Sequence, residues 1–368
     1  MSATSGPPTI GVEEEFLLVD PGSGEPVARN TAVAQIAAAK GVELQLELTS
    51  CQVETATEVC TGTTDLRAQL TRLRRTAGEA AALAGTRLLA VGLPPTVPHH
   101  FPVTDSPRYR QIAERFGMIA HEQGICGCHV HVAVPSREAA IRVSNRLRPW
   151  LPLLLALTAN SAIYRNADSG HASWRYVLWS RWPSAGPPPH FDSVDEYDAA
   201  VQMMQDAGAM LDDGMVYWDI RPSADFPTVE VRVSDVPATV AETVLLTALA
   251  RAAVMTALED DRRGLEAPRI SALALEAAYW KSAHDGLDGQ AVDLLGGGAA
   301  PTVEVLRAFV DRVTPALRAA GDLDLVRSEL DRILETGNGA MRQRIAWRRR
   351  GQVADVIDAA AAATAEGC

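Results

Sequence analysis

Three consecutive glutamates, Glu13, Glu14 and Glu15, interrupt an apolar run that otherwise alternates like a β-strand. Burying a carboxylate without a partner costs several kcal/mol or more, so the strand must either expose these side chains or meet them with cations. Strand alternation places Glu13 and Glu15 on one face and Glu14 on the other. Two carboxylates on one face can share a hard divalent cation, which prefers oxygen ligands. The alternative is an exposed edge strand whose glutamates are solvated.

A second acidic pair, Glu47 and Glu54, lies in the next strand-like segment. The two residues are seven positions apart, so an unbroken strand would send them to opposite faces. If both serve one site, the chain must bend or bulge between them, and residues 49–51 are the expected place. Spacing alone leaves the role of this pair open.

Two later segments combine a valine-rich face with a face of functional side chains. In the first, valines alternate with His129 and His131, and two imidazoles on one face suit a metal or phosphate site. In the second, Glu230 and Arg232 share the face opposite the valines, which suits a metal ligand beside a phosphate-binding arginine. Satisfied core histidines and a cross-strand salt bridge are the alternatives. Jointly, the segments predict a curved sheet whose concave face carries metal ligands, histidines and arginines.

The lysine positions and the net charge argue against a P-loop and against a nucleic-acid binder. Lys40 and Lys281 are the only lysines among 368 residues, and neither lies in the Gly-Lys-Ser/Thr triplet of a P-loop. The formal net charge of −12 argues against a nucleic-acid binder, because phosphate contacts need a basic surface.

The sequence predicts a cytoplasmic protein without a membrane partner. Residues 1–8 lack the charged start and apolar run of a secretory signal. The most apolar stretch, residues 150–159, contains Pro152 and is too short to span a bilayer. Five cysteines are an odd, sparse set that suits a reducing compartment, and we expect Cys126 and Cys128 to be ordinary buried thiols.

Hydrophobic periodicity predicts strands in the first two thirds of the chain and an almost wholly helical last third. The strand-like runs are residues 9–19, 42–53, 87–91, 125–134 and 228–234. The helical patterns are residues 64–84, 108–123, 137–159, 194–209, 238–259, 270–283, 303–320, 323–336 and 339–363. This order predicts an α+β fold, in which a mainly antiparallel sheet carries the chemistry and helices surround it. We expect one catalytic domain over residues 1–368, sheet-rich over 9–236 and mainly helical over 237–368.

Together these segments resemble the carboxylate–amine ligase family related to glutamate–cysteine ligase, a group often called type 2 glutamate–cysteine ligases. The resemblance runs from about residue 9 to residue 357, with the motifs in the family's order. Its motifs are Gly-Val-Glu-Glu-Glu-Phe at 11–16, the segment 47–54, Cys-Gly-Cys-His-Val-His at 126–131, Ala-Asn-Ser at 159–161, Asp-Ser-Gly at 168–170, Ser-Trp-Arg at 173–175, Trp-Pro-Ser-Ala-Gly-Pro-Pro at 182–188, Asp-Ile-Arg-Pro at 219–222, Glu-Val-Arg-Val at 230–233 and Arg-Gln-Arg at 342–344.

The resemblance implies a glutamine-synthetase-like catalytic fold, whose saddle-shaped antiparallel sheet cradles ATP and two or three Mg²⁺ ions, with Mn²⁺ as an alternative. The residues that match the family's metal-binding set are Glu13, Glu15, Glu47, Glu54, His129 and Glu230. His131 is expected near the nucleotide or a metal. Arg175 and Arg232 match binders of phosphate or acyl phosphate.

The implied reaction is ATP-dependent amide formation. The γ-phosphoryl group of ATP moves to a substrate carboxylate, and an amine then displaces phosphate from the acyl phosphate. The implied partners are a small-molecule carboxylate and a small-molecule amine, with glutamate as the carboxylate and cysteine or another amine as the acceptor. A homo-oligomer, expected to be a dimer, also follows from the resemblance.

Three segments depart from the family's usual motifs and leave the substrates open. Gly-x-His-Pro-Phe is replaced by Gly-Leu-Pro-Pro-Thr-Val at 92–97, Asn-Ser-Pro-Phe-Trp by Asn-Ser-Ala-Ile-Tyr at 160–164, and Asn-Arg-Trp-x-Ala-Ala-Arg by Ala-Tyr-Trp-Lys-Ser-Ala-His at 278–284. Because the metal and phosphate residues are retained, we expect ligase chemistry on substrates that need not be glutamate and cysteine. The Pro-rich loops 92–107 and 182–191 are expected to cover the site and exclude water.

Three other functions are alternatives. A guanidino kinase shares the fold type and would stop after phosphorylating its acceptor. A metal-dependent hydrolase built on His129 and His131 would turn over without ATP. A binding protein without catalysis would hold nucleotide and release no ADP.

Overall fold

The computed structural model describes residues 6–98, 100–122 and 124–368. Within these ranges the strands are Ile10–Val19 (β1), Gln45–Leu46 (β2), Gln52–Ala56 (β3), Arg87–Leu89 (β4), Gly127–Ala133 (β5), Ile163–Tyr164 (β6), Ala167–Asp168 (β7), Ile220–Pro222 (β8), Thr228–Asp235 (β9), Gln290–Val292 (β10) and Ala299–Pro301 (β11). The helices are Asn30–Ala39 (α1), Thr63–Leu83 (α2), Pro107–Phe116 (α3), Met118–His121 (α4), Arg137–Leu147 (α5), Leu151–Thr158 (α6), Trp174–Trp179 (α7), Val194–Asp206 (α8), Val240–Arg262 (α9), Ala272–Asp285 (α10), Thr302–Ala320 (α11), Leu323–Thr336 (α12), Gly339–Arg350 (α13) and Val353–Thr364 (α14).

One open antiparallel sheet organises the molecule. Its strand order is β2–β3–β1–β5–β9–β8, and β4 pairs with the end of β1. The registers place Glu13 opposite His129 on β5 and Glu15 opposite Glu54 on β3. Because side chains opposite each other on neighbouring strands lie close together, pairing assembles residues that are far apart in the chain. The mainly antiparallel sheet of the predicted α+β fold is confirmed.

Helices cover the valine-rich face of this sheet. Val12, Val130 and Val231 belong to one buried cluster with side chains of α5, α6, α9 and α11. A second cluster surrounds the later half of β1, where Phe16 and Leu18 pack with residues of α1, α2 and α14. The apolar side chains thus face the helices, and the opposite face of the same strands is left for polar side chains.

The middle glutamate of the acidic strand points to the packed face and meets a cation there. Arg74 on α2 binds Glu14 through Nη2–Oε1 and Nε–Oε2 contacts of 2.5 and 2.9 Å, and neither side chain is exposed. The hydroxyl of Thr243 on α9 donates to the same carboxylate at 2.6 Å. Arg74 also donates to the carbonyls of Pro237 and Ala238. The buried charges are therefore paired and hydrogen-bonded, as burial requires.

The predicted strand over residues 42–53 is broken by a turn at residues 49–51, so its predicted extent is wrong and the expected bend is confirmed. The Pro-rich loop 92–107 holds this bend, because the hydroxyl of Thr104 donates to the carbonyl of Glu47 at 2.5 Å. The bend allows Glu47 and Glu54 to reach the same face of the sheet.

Three helical patterns are each divided by a residue that interrupts a helix. The divided patterns are those over residues 108–123, 137–159 and 339–363. Gly117 and Gly351 take positive φ values of 55° and 65°, which end α3 and α13. Pro149 lies between α5 and α6 and cannot donate a helical hydrogen bond. The sequence patterns also missed α1, α7, β8 and the two small hairpins β6–β7 and β10–β11. Apart from α1, these elements are too short to show a period.

Among the described residues, α9 is the one helix long and apolar enough to cross a bilayer by length and composition. Of its most apolar 18-residue window, 83% is buried inside the protein. This is the environment of a core helix.

Candidate active site

The polar face of the sheet lines a cleft of about 1020 Å³. All nine side chains expected to bind metal, nucleotide or phosphate line it: Glu13, Glu15, Glu47, Glu54, His129, His131, Arg175, Glu230 and Arg232. Strands β1, β3, β5 and β9 supply seven of them, while Glu47 comes from the bend after β2 and Arg175 from α7. Alternation along the pleated strands aims the seven side chains at one side.

Glu13 contacts both histidines of β5. Its Oε2 lies 3.1 Å from Nδ1 of His129, and its Oε1 lies 3.5 Å from Nε2 of His131. Burial alone would raise the pKa of Glu13, but hydrogen bonds and charge from the two imidazoles outweigh it and hold that pKa below its usual range. His131 is also held by Thr228, whose hydroxyl oxygen lies 3.0 Å from Nδ1.

Carboxylates and imidazoles form three overlapping groups in the cleft, each with its ligand atoms within 4.8 Å of one another. The groups are Glu13, Glu54 and His129; Glu13, His131 and Glu230; and Glu15, Glu47 and Glu54. Glu13 and Glu54 each belong to two groups, so the three form one continuous cluster. Oxygen atoms predominate among its donors, which suits Mg²⁺ or Mn²⁺ better than a thiolate- or imidazole-rich site for Zn²⁺.

Glu15, Glu47 and Glu54 repel one another within this cluster. Burial is the main cause that raises the pKa of each of the three carboxyls. Repulsion adds to it, from Glu47 on Glu15, from Glu13 on Glu47, and from all three other glutamates on Glu54. The pKa of Glu54 is raised well above its usual value. Divalent cations bound among the carboxylates would relieve this repulsion, so the residues fit such cations.

Glu230 differs from these carboxylates because two arginines bind it. Arg221 donates from Nε to Oε2 at 2.7 Å, and Arg232 donates from Nη1 to Oε1. Burial would raise the pKa of Glu230, but the two guanidinium charges hold it below its usual range. Sequence analysis assigned no role to Arg221, whose approach to Glu230 depends on the β8–β9 pairing that sets the two residues opposite each other.

Arg175 lies in the first turn of α7 with only 3% of its surface exposed. Its Nη1 is 3.7 Å from Oδ1 of Asp235, and its guanidinium carbon lies 5.9 Å from the ring centroid of Trp179, one helical turn later. A Cβ atom at Gly127 would lie 2.5 Å from Nη2 of Arg175, so only glycine admits the guanidinium against β5.

The cleft has two chemically different ends along β5. Arg175 marks one end, where Trp179 and Tyr217 line the cleft with ring centroids 4.7 Å apart. His131 marks the other end, where the ring centroid of Phe226 lies 6.0 Å away. The strand runs four residues between these ends, or roughly 13 Å at about 3.3 Å per residue.

Sequence analysis missed two buried carboxylates beside the arginines, Asp219 and Asp235. Burial raises the pKa of Asp219 to about 7 although Arg175 and Arg232 act to lower it. Burial also raises the pKa of Asp235. Both residues are acidic and lie next to apolar strand segments. Because burying a carboxylate is costly, this placement is the signal in the sequence that points to them.

Most of the two Pro-rich loops lies outside the cleft. Of the described part of loop 92–107, no residue lines the cleft, and Trp182 is the one residue of loop 182–191 that does. Their expected role as covers does not match this arrangement, because the first loop packs against the bend at Glu47 instead. Cys126 and Cys128 are free and buried, as expected, and burial raises the pKa of both thiols.

Comparison with known proteins identifies the family. Residues 9–359 match the family model described as glutamate–cysteine ligase family 2. The chain belongs to this family. A relative from Mycobacterium sp. (strain KMS), named "Putative glutamate--cysteine ligase 2-2", is 71% identical over 97% of this chain and 98% of the relative. A relative from Nocardia farcinica (strain IFM 10152), named "Putative glutamate--cysteine ligase 2-1", is 59% identical over 98% of this chain and 94% of its own length.

Solved structures agree on the fold. The glutamate–cysteine ligase of Francisella tularensis in complex with AMP superimposes with a TM-score of 0.72 at 13% identity, over 100% of this chain and 90% of that chain. A bifunctional glutathione synthetase from Pasteurella multocida gives a TM-score of 0.66 at 14% identity, over 98% of this chain and 52% of that chain. The predicted fold class is confirmed. Membership of glutamate–cysteine ligase family 2 also confirms the predicted enzyme class, a ligase that forms a carbon–nitrogen bond.

Proposed function

We propose that this member of glutamate–cysteine ligase family 2 uses ATP to join a carboxylate to an amine through an acyl phosphate. The observation that carries the proposal is one cleft that holds an oxygen-rich cation cluster beside two guanidinium groups. The AMP in the Francisella tularensis structure supports a nucleotide substrate for this fold. We propose glutamate as the carboxylate and cysteine or another amine as the acceptor.

Two or three Mg²⁺ ions are the proposed cofactors, with Mn²⁺ as a substitute. The side chains proposed to hold them are Glu13, Glu15, Glu47, Glu54, His129 and Glu230. Such ions, when bound, offset the repulsion between phosphate oxygens and an attacking carboxylate. The mutual repulsion of Glu15, Glu47 and Glu54 supports this assignment, since it is the feature that cations would relieve.

Arg175 and Arg232 are proposed to bind the transferring phosphoryl group and the acyl phosphate. Arg232 is already oriented by Glu230, and Arg175 by its place between Gly127 and Trp179. Guanidinium groups that are held in position before the reaction can take up developing negative charge without reorganising.

His131 is proposed to lie beside the nucleotide, at the end of the cleft opposite Arg175. Its contacts with Thr228 and Phe226 support a fixed ring orientation there. In this arrangement the substrate carboxylate attacks the γ-phosphorus from the middle of the cleft and ADP leaves. The amine nitrogen then attacks the acyl carbon and phosphate leaves.

We further propose that the whole chain forms one catalytic domain, that it assembles as a homodimer, and that it works in the cytoplasm on small molecules. The residues of α9 and α11 that share the core cluster with β5 and β9 support a single folding unit for the sheet and the later helices. Light scattering after size-exclusion chromatography tests the dimer, and a monomer at micromolar concentration would contradict it.

ADP release from the purified protein tests the proposed reaction. Mg·ATP is combined with a matrix of amino-acid, aliphatic and aromatic carboxylates against amines, and condensed products are sought by mass spectrometry. We expect release that requires both a carboxylate and an amine, and a product lighter by one water than their sum. Reactions without amine, and reactions of Glu13→Gln protein, are the matched controls.

The same matrix separates the alternatives. ADP release with a phosphorylated acceptor and no condensed product would indicate a guanidino-kinase-like transfer. Turnover without ATP that zinc-selective chelators abolish would indicate a metal-dependent hydrolase, which the oxygen-rich donor set disfavours. No ADP release with any pair would contradict the proposed ligase reaction.

A further inference from the structure

Asp235, the last residue of β9, is a buried carboxylate that the proposed chemistry does not use. It is fully buried and does not line the cleft. Three neutral groups donate hydrogen bonds to it: the backbone N–H of Asn160 at 2.8 Å, the hydroxyl of Ser161 at 2.7 Å and the hydroxyl of Ser173 at 2.8 Å. Arg175 supplies positive charge, with Nη1 3.7 Å from Oδ1. A carboxylate buried at this cost is retained only where the surrounding structure depends on it.

The two serines that donate to Asp235 also hold the helix that carries Arg175. Ser173 is the N-cap of α7 and accepts a hydrogen bond from the backbone N–H of Tyr176 at 3.2 Å. Ser161 accepts from the backbone N–H of Arg175 itself at 3.0 Å. A hydroxyl has one proton to give. Each serine donates its hydroxyl hydrogen bond to the carboxylate, so each hydroxyl oxygen is free to accept from an amide of the first turn.

Gln343 on α13 holds residues 160–163, the segment that contains Ser161, through four hydrogen bonds. Gln343 on α13 donates from Nε2 to the carbonyl and the side-chain oxygen of Asn160, at 2.8 and 2.9 Å. Its Oε1 accepts from the backbone N–H groups of Ala162 and Ile163 at 2.9 and 3.2 Å. A Cβ atom at Gly339 would lie 2.1 Å from the Asn160 side chain, so α13 packs directly on this segment. The helical last third of the chain is therefore connected to Arg175 through Asn160 and Asp235.

Backbone crowding leaves little room for Asp235 to move. A Cβ atom at Gly92 would lie 2.7 Å from its carboxylate carbon. The carboxylate thus occupies one position, between the backbone at Gly92 and the two serine hydroxyls.

We infer that Asp235 is a positioning residue for Arg175. Through Ser161 and Ser173 it orients the first turn of α7, and through its charge it holds the guanidinium against Gly127 at the edge of the cleft. This inference rests on the proposed function only in that Arg175 binds the phosphoryl group.

Calorimetric titration of inorganic phosphate into protein saturated with Mg·ADP tests the inference without a known substrate pair. The proteins are the wild type, Arg175→Ala, Asp235→Asn and the double variant. We expect each single variant to weaken phosphate binding by roughly tenfold, and the double variant to be no weaker than Arg175→Ala alone, because Asp235 acts through Arg175. The affinity for Mg·ADP alone should stay close to the wild-type value in Asp235→Asn protein, because Asp235 does not line the cleft.

Asp322→Asn is the matched control for loss of a buried carboxylate. Asp322 binds Arg251 in an equally buried pair, 2.5 Å long, and does not line the cleft. We expect Asp322→Asn to lower the midpoint of thermal unfolding while phosphate affinity stays at the wild-type value.

If Asp235→Asn does not fold, Ser173→Ala is used in its place. We then expect a smaller loss of phosphate affinity, which vanishes in the Arg175→Ala background.

Additive losses in the double variant, equal phosphate affinity in all variants, or undetectable phosphate binding by the wild type would each overturn the inference. None of these results would contradict the proposed function, because amide formation in the substrate matrix would still establish the ligase.

Discussion

Among single residues, the five glutamates that line the cleft fall into two electrostatic classes. Glu13 and Glu230 have cationic or imidazole partners that hold their pKa values low. Burial raises the pKa values of Glu15, Glu47 and Glu54, and repulsion from neighbouring glutamates adds to it. In the sequence these five glutamates look alike. Only their neighbours in the folded protein distinguish their pKa values.

Replacing Glu13 by Gln is expected to abolish turnover and leave the fold intact. The amide keeps the size of the side chain but removes a charge that both histidines contact and that two of the three ligand groups share. Glu230→Gln should have the same effect on turnover. ADP release and circular dichroism are the measurements, and Glu79→Gln, at an exposed ion pair, is the control. Full activity in Glu13→Gln protein would refute the metal assignment.

Arg232→Ala is expected to slow phosphoryl transfer by roughly 10²–10³-fold, since it removes a fixed charge that meets the transition state. Single-turnover formation of ADP measures this step directly. The apparent affinity for the amine should change little, because in the proposed mechanism the amine enters after phosphoryl transfer. A variant in which only the amine affinity changed would show that the proposed role of Arg232 is wrong.

At the scale of secondary-structure elements, a buried ion pair joins the sheet to its covering helices. Arg74 on α2 and Glu14 on β1 are both fully buried, and Thr243 on α9 completes the contact. The same strand therefore uses alternate glutamates for two purposes, with Glu14 serving packing while its neighbours face the cleft. Because Arg74 and Thr243 both donate to Glu14, this contact depends on α2, α9 and β1 together.

Arg74→Met is expected to destabilise the protein by roughly 3–5 kcal/mol, because it leaves Glu14 buried without a counter-charge. Urea unfolding followed by tryptophan fluorescence measures the change. Lys40→Met is the control, since Lys40 and Glu79 form an exposed pair and their loss should change stability little. Equal effects of the two substitutions would contradict the structural role of the buried pair.

At the scale of the whole molecule, binding of cations and stability should be linked. The carboxyls of Glu15, Glu47 and Glu54 have folded-state pKa values above the ordinary value of 4.5. Above pH 4.5 the unfolded chain releases these protons before the folded protein does, so stability falls as pH rises through that window. Glu13 and Glu230, whose pKa values are held low, titrate below it.

In EDTA, the midpoint of thermal unfolding is therefore expected to fall as pH rises above about 4.5 and to recover when Mg²⁺ is added. At about 100 times its dissociation constant, Mg²⁺ should stabilise the folded state by roughly 2.7 kcal/mol. Scanning calorimetry measures both effects. Glu54→Gln should flatten the pH dependence, and Glu79→Gln should not. Recovery that Na⁺ produces as well as Mg²⁺ would argue against a specific cation site.

Strand alternation alone was enough to predict which side chains face the cleft and which face the helices. A side-chain period of two is a local property of each strand, so Glu13, His129 and Glu230 could be assigned to the polar face before any pairing was known. The motifs also indicated the family, and with it the antiparallel sheet. Residue patterns could not place the ends of helices at Gly117 or Pro149, because the helical period continues on both sides of each interruption.

Contacts between residues that are far apart in the chain follow from how the elements pack. Glu47 reaches Glu54 because a distant loop holds the bend between them, and Arg221 reaches Glu230 because β8 pairs with β9. Asp235 reaches Arg175 through donors that lie more than sixty positions away in the chain. Such contacts depend on how separate elements pack, and a local pattern carries no information about its partner across the fold.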